Sequence, residues 1–246
     1  NDVVEMVAFD VFSVGDTVSA KDGGSFGGTV GFGAGIASPV TINGATPTLT
    51  IGDAGAEDAK IVFDGNAQDY HIGLDDSTDS LTIGLGSALG TTSHMVIDST
   101  GAVTKPLQPA FLAIAASDQS NIAVGSGVAV VFGTETFDQN ADFTSNTFTA
   151  PVTGKYQFNV SVNIRNVDSA ADYYRIGLIT SNTTYYDLFD PDFGQDAGYW
   201  TMRVCVLVDM DASDTAAINI LQGSGTVQTD ISGNPVYTFF SGYLVA

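Results

Sequence analysis

An intramolecular disulfide is excluded at once, because Cys205 is the only cysteine of the 246 residues; stability must come from packing, ions or assembly. Within Arg203-Val204-Cys205-Val206-Leu207-Val208 this residue reads as a small buried hydrophobe. Basic side chains are nearly as scarce: 7 Lys and Arg face 28 Asp and Glu, for a formal net charge of -21. Such a chain repels nucleic acid and anionic lipid headgroups, which removes both as partners. Only two histidines occur, His71 and His94, too few and too separated for a zinc site or for the base of a cysteine nucleophile. No apolar run approaches the ~20 residues of a bilayer span, so no membrane insertion is expected. Asn1-Asp2-Val3-Val4-Glu5 lacks the basic start and apolar core of a signal peptide. It also lacks an initiator Met, which predicts that these residues continue a longer polypeptide. The glycine-rich stretch 22–35 holds no phosphate-binding Lys, so a nucleotide loop is unsupported.

What is present points to strands. Gly numbers 28 and hydrophobic residues make up 44%, alongside much Thr, Val, Ser and Asn, while the Leu/Glu/Lys/Arg runs of helices are missing. The chain is expected to be all-β with three textures. Residues 1–46 open with the alternating Val3–Phe12 segment and pass into Asp22–Val30, a glycine-rich tract without the strict period of collagen; they read as the first part of a β-rich stalk. Residues 47–108 carry an imperfect repeat. Leu49-Thr50-Ile51-Gly52 returns as Leu81-Thr82-Ile83-Gly84, and Ile61-Val62-Phe63-Asp64-Gly65 is echoed by Met95-Val96-Ile97-Asp98-Ser99. Their large apolar residues (Leu49, Ile51, Ile61, Phe63, Ile72, Leu74, Leu81 and Ile83) are too few for an independent core, and thin cores are completed by neighbouring repeats or chains.

Lys105-Pro106-Leu107-Gln108-Pro109 interrupts the pattern and marks a boundary. Residues 109–246 then offer longer, more aromatic strands at 110–115, 128–132, 147–149, 154–164, 173–180, 200–208, 216–222 and 237–245. Tyr156, Phe158, Val160, Val162 and Ile164 fall on one face of the fourth. Eight strands with turns between them describe an antiparallel sandwich or jelly roll.

Phe148-Thr149-Ala150-Pro151-Val152-Thr153-Gly154-Lys155-Tyr156-Gln157-Phe158 resembles the signature of the complement globular-head (C-one-q type) family, which belongs with the tumour-necrosis-factor-like jelly rolls. Phe132, Asp138, Phe143, Phe148, Gly154, Tyr156 and Phe158 fill its places. The ending Tyr237-Thr238-Phe239-Phe240-Ser241-Gly242-Tyr243-Leu244 is similar to the family's closing strand, with Phe240, Gly242 and Tyr243 as its marks. Two features depart from the pattern: the Phe143-to-Phe148 gap is short, and Val160 stands where an aromatic is usual. Gly154 follows Pro151 in a turn, where a residue without Cβ takes backbone angles that others avoid. The resemblance implies a homotrimer with its termini together at the base. A looser resemblance, carried by Ala59-Lys60-Ile61-Val62-Phe63-Asp64-Gly65-Asn66, Tyr70-His71-Ile72-Gly73-Leu74-Asp75-Asp76 and the opening Asn1–Ala8, is to repeats in fibre proteins of marine phages.

The segment Tyr185-Tyr186-Asp187-Leu188-Phe189-Asp190-Pro191-Asp192, running on to Tyr199-Trp200, reads as an aromatic and acidic loop. Rings stack on pyranose faces and carboxylates accept from hydroxyls, so Tyr185, Tyr186, Asp187, Asp190, Asp192, Tyr199 and Trp200 are receptor-binding candidates; the competing reading packs half of these rings into the sandwich. Two sets of carboxylates, Asp190/Asp192/Asp196 and Asp209/Asp211/Asp214, are the candidates for calcium, with solvated turns as the alternative. No other cofactor and no catalytic residue is expected. Together these features predict a virion fibre protein, extracellular and trimeric. Its partners would be other virion structural proteins and a host-surface glycan or protein, and it would be an adhesin with no enzymatic role. The alternatives are a capsid-attached fibre or decoration protein, a non-viral extracellular adhesin, and a polysaccharide depolymerase working through paired carboxylates.

Overall fold

A computed structural model of the chain describes residues 41–246. The expected Val3–Phe12 strand, the glycine-rich tract 22–30 and most of the first stalk segment lie outside the described residues. Residues from Ile51 to Ala246 form one compact unit. No helix occurs among the described residues, as the composition predicts.

The unit begins with a five-stranded antiparallel meander: β1 (Ala59–Phe63), β2 (Tyr70–Asp75), β3 (Ser80–Leu85), β4 (Ser93–Ile97) and β5 (Val103–Thr104), paired in chain order. The register aligns Ile61 with Ile72, Ile72 with Ile83 and Ile83 with Met95, and likewise Leu74 with Leu81. One face is therefore a continuous apolar ladder, and it is the uncovered one: Ile61, Phe63, Tyr70, Leu74, Leu81 and Ile83 are all exposed. The opposite face is polar and buried, through His71, Asp75, Ser80 and Thr82. There the turn after β3 folds inward, so that Gly86 O lies 2.9 Å from His71 Nδ1. The second expected pair is strand in both copies, Ile61–Phe63 within β1 and Met95–Ile97 within β4, but the first is strand in only one. Leu81–Gly84 lies within β3, whereas Leu49–Gly52 forms no strand, because Gly52 and Ala54 both take positive φ and Asp53 Oδ1 accepts from Gly55 N in a tight turn.

Twelve further strands build the sandwich. They are β6 (Ala110–Ile114), β7 (Val128–Ala129), β8 (Thr134–Gln139), β9 (Phe143–Thr144), β10 (Thr147–Thr149), β11 (Gly154–Val167), β12 (Tyr174–Thr180), β13 (Thr184–Phe189), β14 (Ala197–Met210), β15 (Thr215–Gln222), β16 (Asp230–Ile231) and β17 (Phe239–Leu244). One sheet runs β13-β12-β15-β10-β9, with β7 on β15; the other runs β14-β11-β17-β6-β8, with β16 on β11. This is a jelly-roll sandwich. The strand with Tyr156 and Phe158 pairs directly with the last strand, Tyr156 opposite Leu244 and Val160 opposite Phe240.

The signature residues build the core. Phe132, Phe143, Phe148, Tyr156, Phe158 and Phe240 are all buried, and Phe111 lies among them at 4.8 Å from Phe143, 5.1 Å from Phe148 and 4.9 Å from Phe240. Tyr156 keeps its hydroxyl satisfied by donating to Val152 O at 2.7 Å. Asp138 sets Phe143 in place, since its two carboxylate oxygens accept from the backbone N–H groups of Asp142 and Phe143. Gly242 is required by closeness: a Cβ there would stand 2.5 Å from Phe158 and 2.8 Å from Phe111.

Gly154 corrects the sequence expectation. It sits at the start of β11, not at a positive φ, and what excludes a side chain is the Ala246 carbonyl, 2.7 Å from where a Cβ would be. Cys205 is a second correction. It is exposed, because Val204 and Val206 take the inward positions of β14 and the strand's alternation turns Cys205 outward. The expected aromatic loop is a third: Thr184–Phe189 is an edge strand of the first sheet.

Candidate binding site

The predicted receptor-binding residues divide among three places. Tyr185 faces the interior and packs against the core. Tyr186, its neighbour on β13, points outward and is half exposed. Its ring lies over Gly177, where a Cβ would come within 2.9 Å of Cε1, and the Arg175 guanidinium sits 4.3 Å from the ring centroid. A bare backbone below and a cation beside it hold this ring as a platform. Neither Arg175 nor Gly177 stands out in the sequence, because both belong to the neighbouring strand and meet Tyr186 only through sheet register.

Trp200 belongs to the second place. It stacks on Phe189 at 4.7 Å and approaches Phe193 at 5.4 Å, while Phe189 stacks on Tyr174 at 5.3 Å. These rings cap one end of the sandwich. The carboxylates near them are occupied by the chain itself: Asp187 accepts from Arg203 N, Asp190 from Asp192 N, and Asp196 from the backbone and hydroxyl of Ser169. Asp192 is exposed.

Tyr199 occupies the third place. It follows the outward face of β14, opposite Arg165 of β11, and is 69% exposed. There it borders a cavity of about 500 Å³ lined by Asp118, Asn163, Arg165, Tyr199, Thr201, Ser232, Asn234 and Tyr237. Of these, only Tyr199 is among the residues to which the sequence points. The others come from separate segments brought together by the sheet. Gly233 allows the closure, since any Cβ there would collide with the backbone of Ser117 and Asp118. Its N–H donates to Asp118 Oδ1 at 2.7 Å, and the other Asp118 oxygen is paired with Arg165. The Gly233 amide and then the Arg165 guanidinium hold the Asp118 carboxyl below the ordinary range. On the floor, buried Asn163 donates to Trp200 O and Thr201 Oγ1.

Neither calcium set converges. Asp214 accepts from Asn182 and from Asp211 N, and Asp209 pairs with Lys155 Nζ at 2.6 Å. Among the described residues no three His, Cys, Asp or Glu side chains come close enough to share a metal ion. Carboxylates at turns find backbone N–H donors sooner than a common focus, and a hard cation needs that focus.

No protein-family model and no curated protein matches the chain. Among solved structures, the globular domain of a zebrafish complement 1qA protein is similar over 56% of this chain and 98% of that one, at 18% identity and a TM-score of 0.41. A crystal structure of murine APRIL is similar over 56% of this chain and 99% of that one, at 10% identity and a TM-score of 0.42.

Proposed function

We propose that the protein is a self-assembling adhesin, a fibre whose jelly-roll knob binds a surface ligand and whose meander joins copies of the chain. The observation that carries this reading is the inverted meander. A sheet that buries His71, Asp75, Ser80 and Thr82 while exposing Ile61, Phe63, Tyr70, Leu74, Leu81 and Ile83 is unfavourable alone and favourable against another apolar face. The exposed parts of these six large side chains amount to roughly 600 Å², close to the ~800 Å² per partner of a standard interface. The number three is what the sequence resemblance implies. Three copies of one site on a common axis would strengthen weak contacts through effective concentration. Placement on a virion and attachment to a host cell are the finer form of the proposal, and they rest on the resemblance of the 59–76 region to phage fibre repeats.

Sedimentation equilibrium at micromolar protein tests the assembly. The expected result is a mass near three times 25.5 kDa; a monomer overturns it. Incubation with bacterial surface polysaccharide, read for new reducing ends, tests the adhesin against the depolymerase. Binding without cleavage is expected, and release of reducing ends would replace adhesion with hydrolysis.

A further inference from the structure

The outward face of the β13-β12-β15 sheet sets an unpaired cation beside an exposed ring. We infer that Arg175, Tyr186 and Asn219 form a binding site for a saccharide that carries a carboxylate. Such a site, which rests on the reading of the knob as a ligand-binding module, gives that module a place and a ligand class.

Strand register brings the three side chains together. Gly177 of β12 pairs with Tyr186 of β13 on one side and with Asn219 of β15 on the other, and Arg175 stands one row away between Leu188 and Leu221. Paired residues share a face, so all of these point outward, away from buried Ile176 and Ile218. A Cβ at Gly177 would stand 2.7 Å from Asn219 Oδ1 and 2.9 Å from Tyr186 Cε1. Asn219 Nδ2 lies likewise beside Gly127, 3.1 Å from where a Cβ would be. Two bare backbones thus seat the ring and the amide side by side. The outward positions of β12, β13 and β15 hold none of the 28 Asp and Glu of the chain.

Arg175 is the residue that points to a ligand. Among the described residues only Lys155 and Arg165 form salt bridges, and the Arg175 guanidinium makes no hydrogen bond there. Its Nε is sealed from solvent and takes no part in recognition, whereas the two terminal nitrogens remain accessible. Stacking at 4.3 Å from the Tyr186 ring centroid occupies a face of the guanidinium. The terminal N–H groups lie in its plane, so they stay free to donate. A partly buried cation without a counter-ion is unfavourable, and a carboxylate on those nitrogens supplies one. Asp190, two residues past Leu188, does not: it accepts from Asp192 N.

The rest of the site selects a sugar. Tyr186 is 52% exposed and offers a pyranose ring an aromatic surface at little entropic cost. Asn219 makes no hydrogen bond through its side chain among the described residues. Its amide therefore presents both acceptor and donors, which adjacent sugar hydroxyls meet at once. A neutral sugar would leave Arg175 unpaired, and a cation would be repelled by it. The net charge of -21 does not cancel this preference, because charges beyond about 8 Å are largely screened at about 0.15 M salt. It does disfavour closely spaced anions, so isolated carboxylates along a glycan are the matching pattern.

The test is ligand-observed saturation-transfer NMR on the intact chain, with each probe at about 20 mM to reach millimolar dissociation constants. The acidic probes are the methyl glycosides of glucuronic acid and N-acetylneuraminic acid. Methyl glucoside is the neutral probe, and N-acetylglutamic acid α-amide stands for an acidic peptide. At least one acidic glycoside should bind, about tenfold more tightly than methyl glucoside. Its dissociation constant should rise about tenfold in Arg175→Gln and in Tyr186→Ala. It should be unchanged in Phe193→Ala, whose ring belongs to the aromatic cap. If circular dichroism shows Arg175→Gln to be misfolded, Arg175→Lys decides with the same expected loss, since it keeps the charge and loses the planar fork. Binding of neither acidic glycoside, equal binding of methyl glucoside, or binding retained in either variant overturns the site. So does blocked glutamate binding as tightly as the better glycoside, which would make the face a peptide surface. Bacterial polysaccharide bound equally by the parent and both variants leaves the knob a binding module and overturns this site alone.

Discussion

Asp168 shows what one carboxylate can do when the chain surrounds it with donors. Its side chain is buried and accepts from the backbone N–H groups of Ala170 at 2.9 Å and Val227 at 2.7 Å, and from the backbone and hydroxyl of Thr226. Burial works to raise its pKa, but the Val227, Ala170 and Thr226 donors together outweigh it and hold the group below its ordinary value. A depressed carboxylate stabilises the fold above its unfolded pKa, and that contribution disappears as pH falls through the folded value. Asp168→Asn is therefore expected to cost about 1–3 kcal/mol at pH 7. Urea midpoints measured from pH 7 down to about 3 should show the gap between variant and parent closing below about pH 4; a gap independent of pH would mean that charge plays no part. Asp142 has the opposite sense. Burial, and then the nearby Asp138 carboxylate, push it up, so its ionised form opposes folding at neutral pH. The donors at Thr226 and Val227 are not legible beside Asp168 in the sequence, because they come from a loop far along the chain.

Among the elements, β2 and β3 carry the plainest consequence. Their period of two was legible, but which face of the alternation turns inward was not. Strand alternation predicts two faces and assigns neither to the interior. In the fold, the turn after β3 covers the polar face, and Leu74 and Leu81 stand paired on the open one. Leu74→Asp and Leu81→Asp should therefore weaken self-association by at least tenfold while leaving the far-ultraviolet circular dichroism and the sandwich's thermal midpoint unchanged. Loss of both together would mean that the meander is held by its own core. In β11, by contrast, Tyr156, Phe158, Val160, Val162 and Ile164 are buried as their spacing predicts. A strand between two others in a closed sandwich has only one interior to face. Edge strands were harder to read. β13 looked like a loop because acidic residues interrupt its apolar ones, yet pairing to β12 over six registered residues makes it a strand.

At the scale of the whole molecule, the net charge of -21 governs how copies approach one another. Chains so acidic repel, and counterions screen that repulsion over about 10 Å at 0.1 M salt and about 3 Å at 1 M. Assembly through an apolar face should thus strengthen with salt. The association constant from sedimentation is expected to rise between about 50 and about 500 mM NaCl, opposite to an interface held by ion pairs, which would loosen.

Chain order alone determined the all-β class, the inward ladder of β11, the aromatic identity of the core and the exclusion of intramolecular disulfides. Each of these depends on composition or on spacing within one strand, and such properties survive without knowledge of the partner strand. The tertiary structure decided the outward apolar face of the meander, the exposure of Cys205, the Arg175–Gly177 support beneath Tyr186 and the cavity in which Asp118 meets Arg165 and Tyr237. All of these join segments through sheet register or loop closure, and register is a property of the pair, which no single segment encodes.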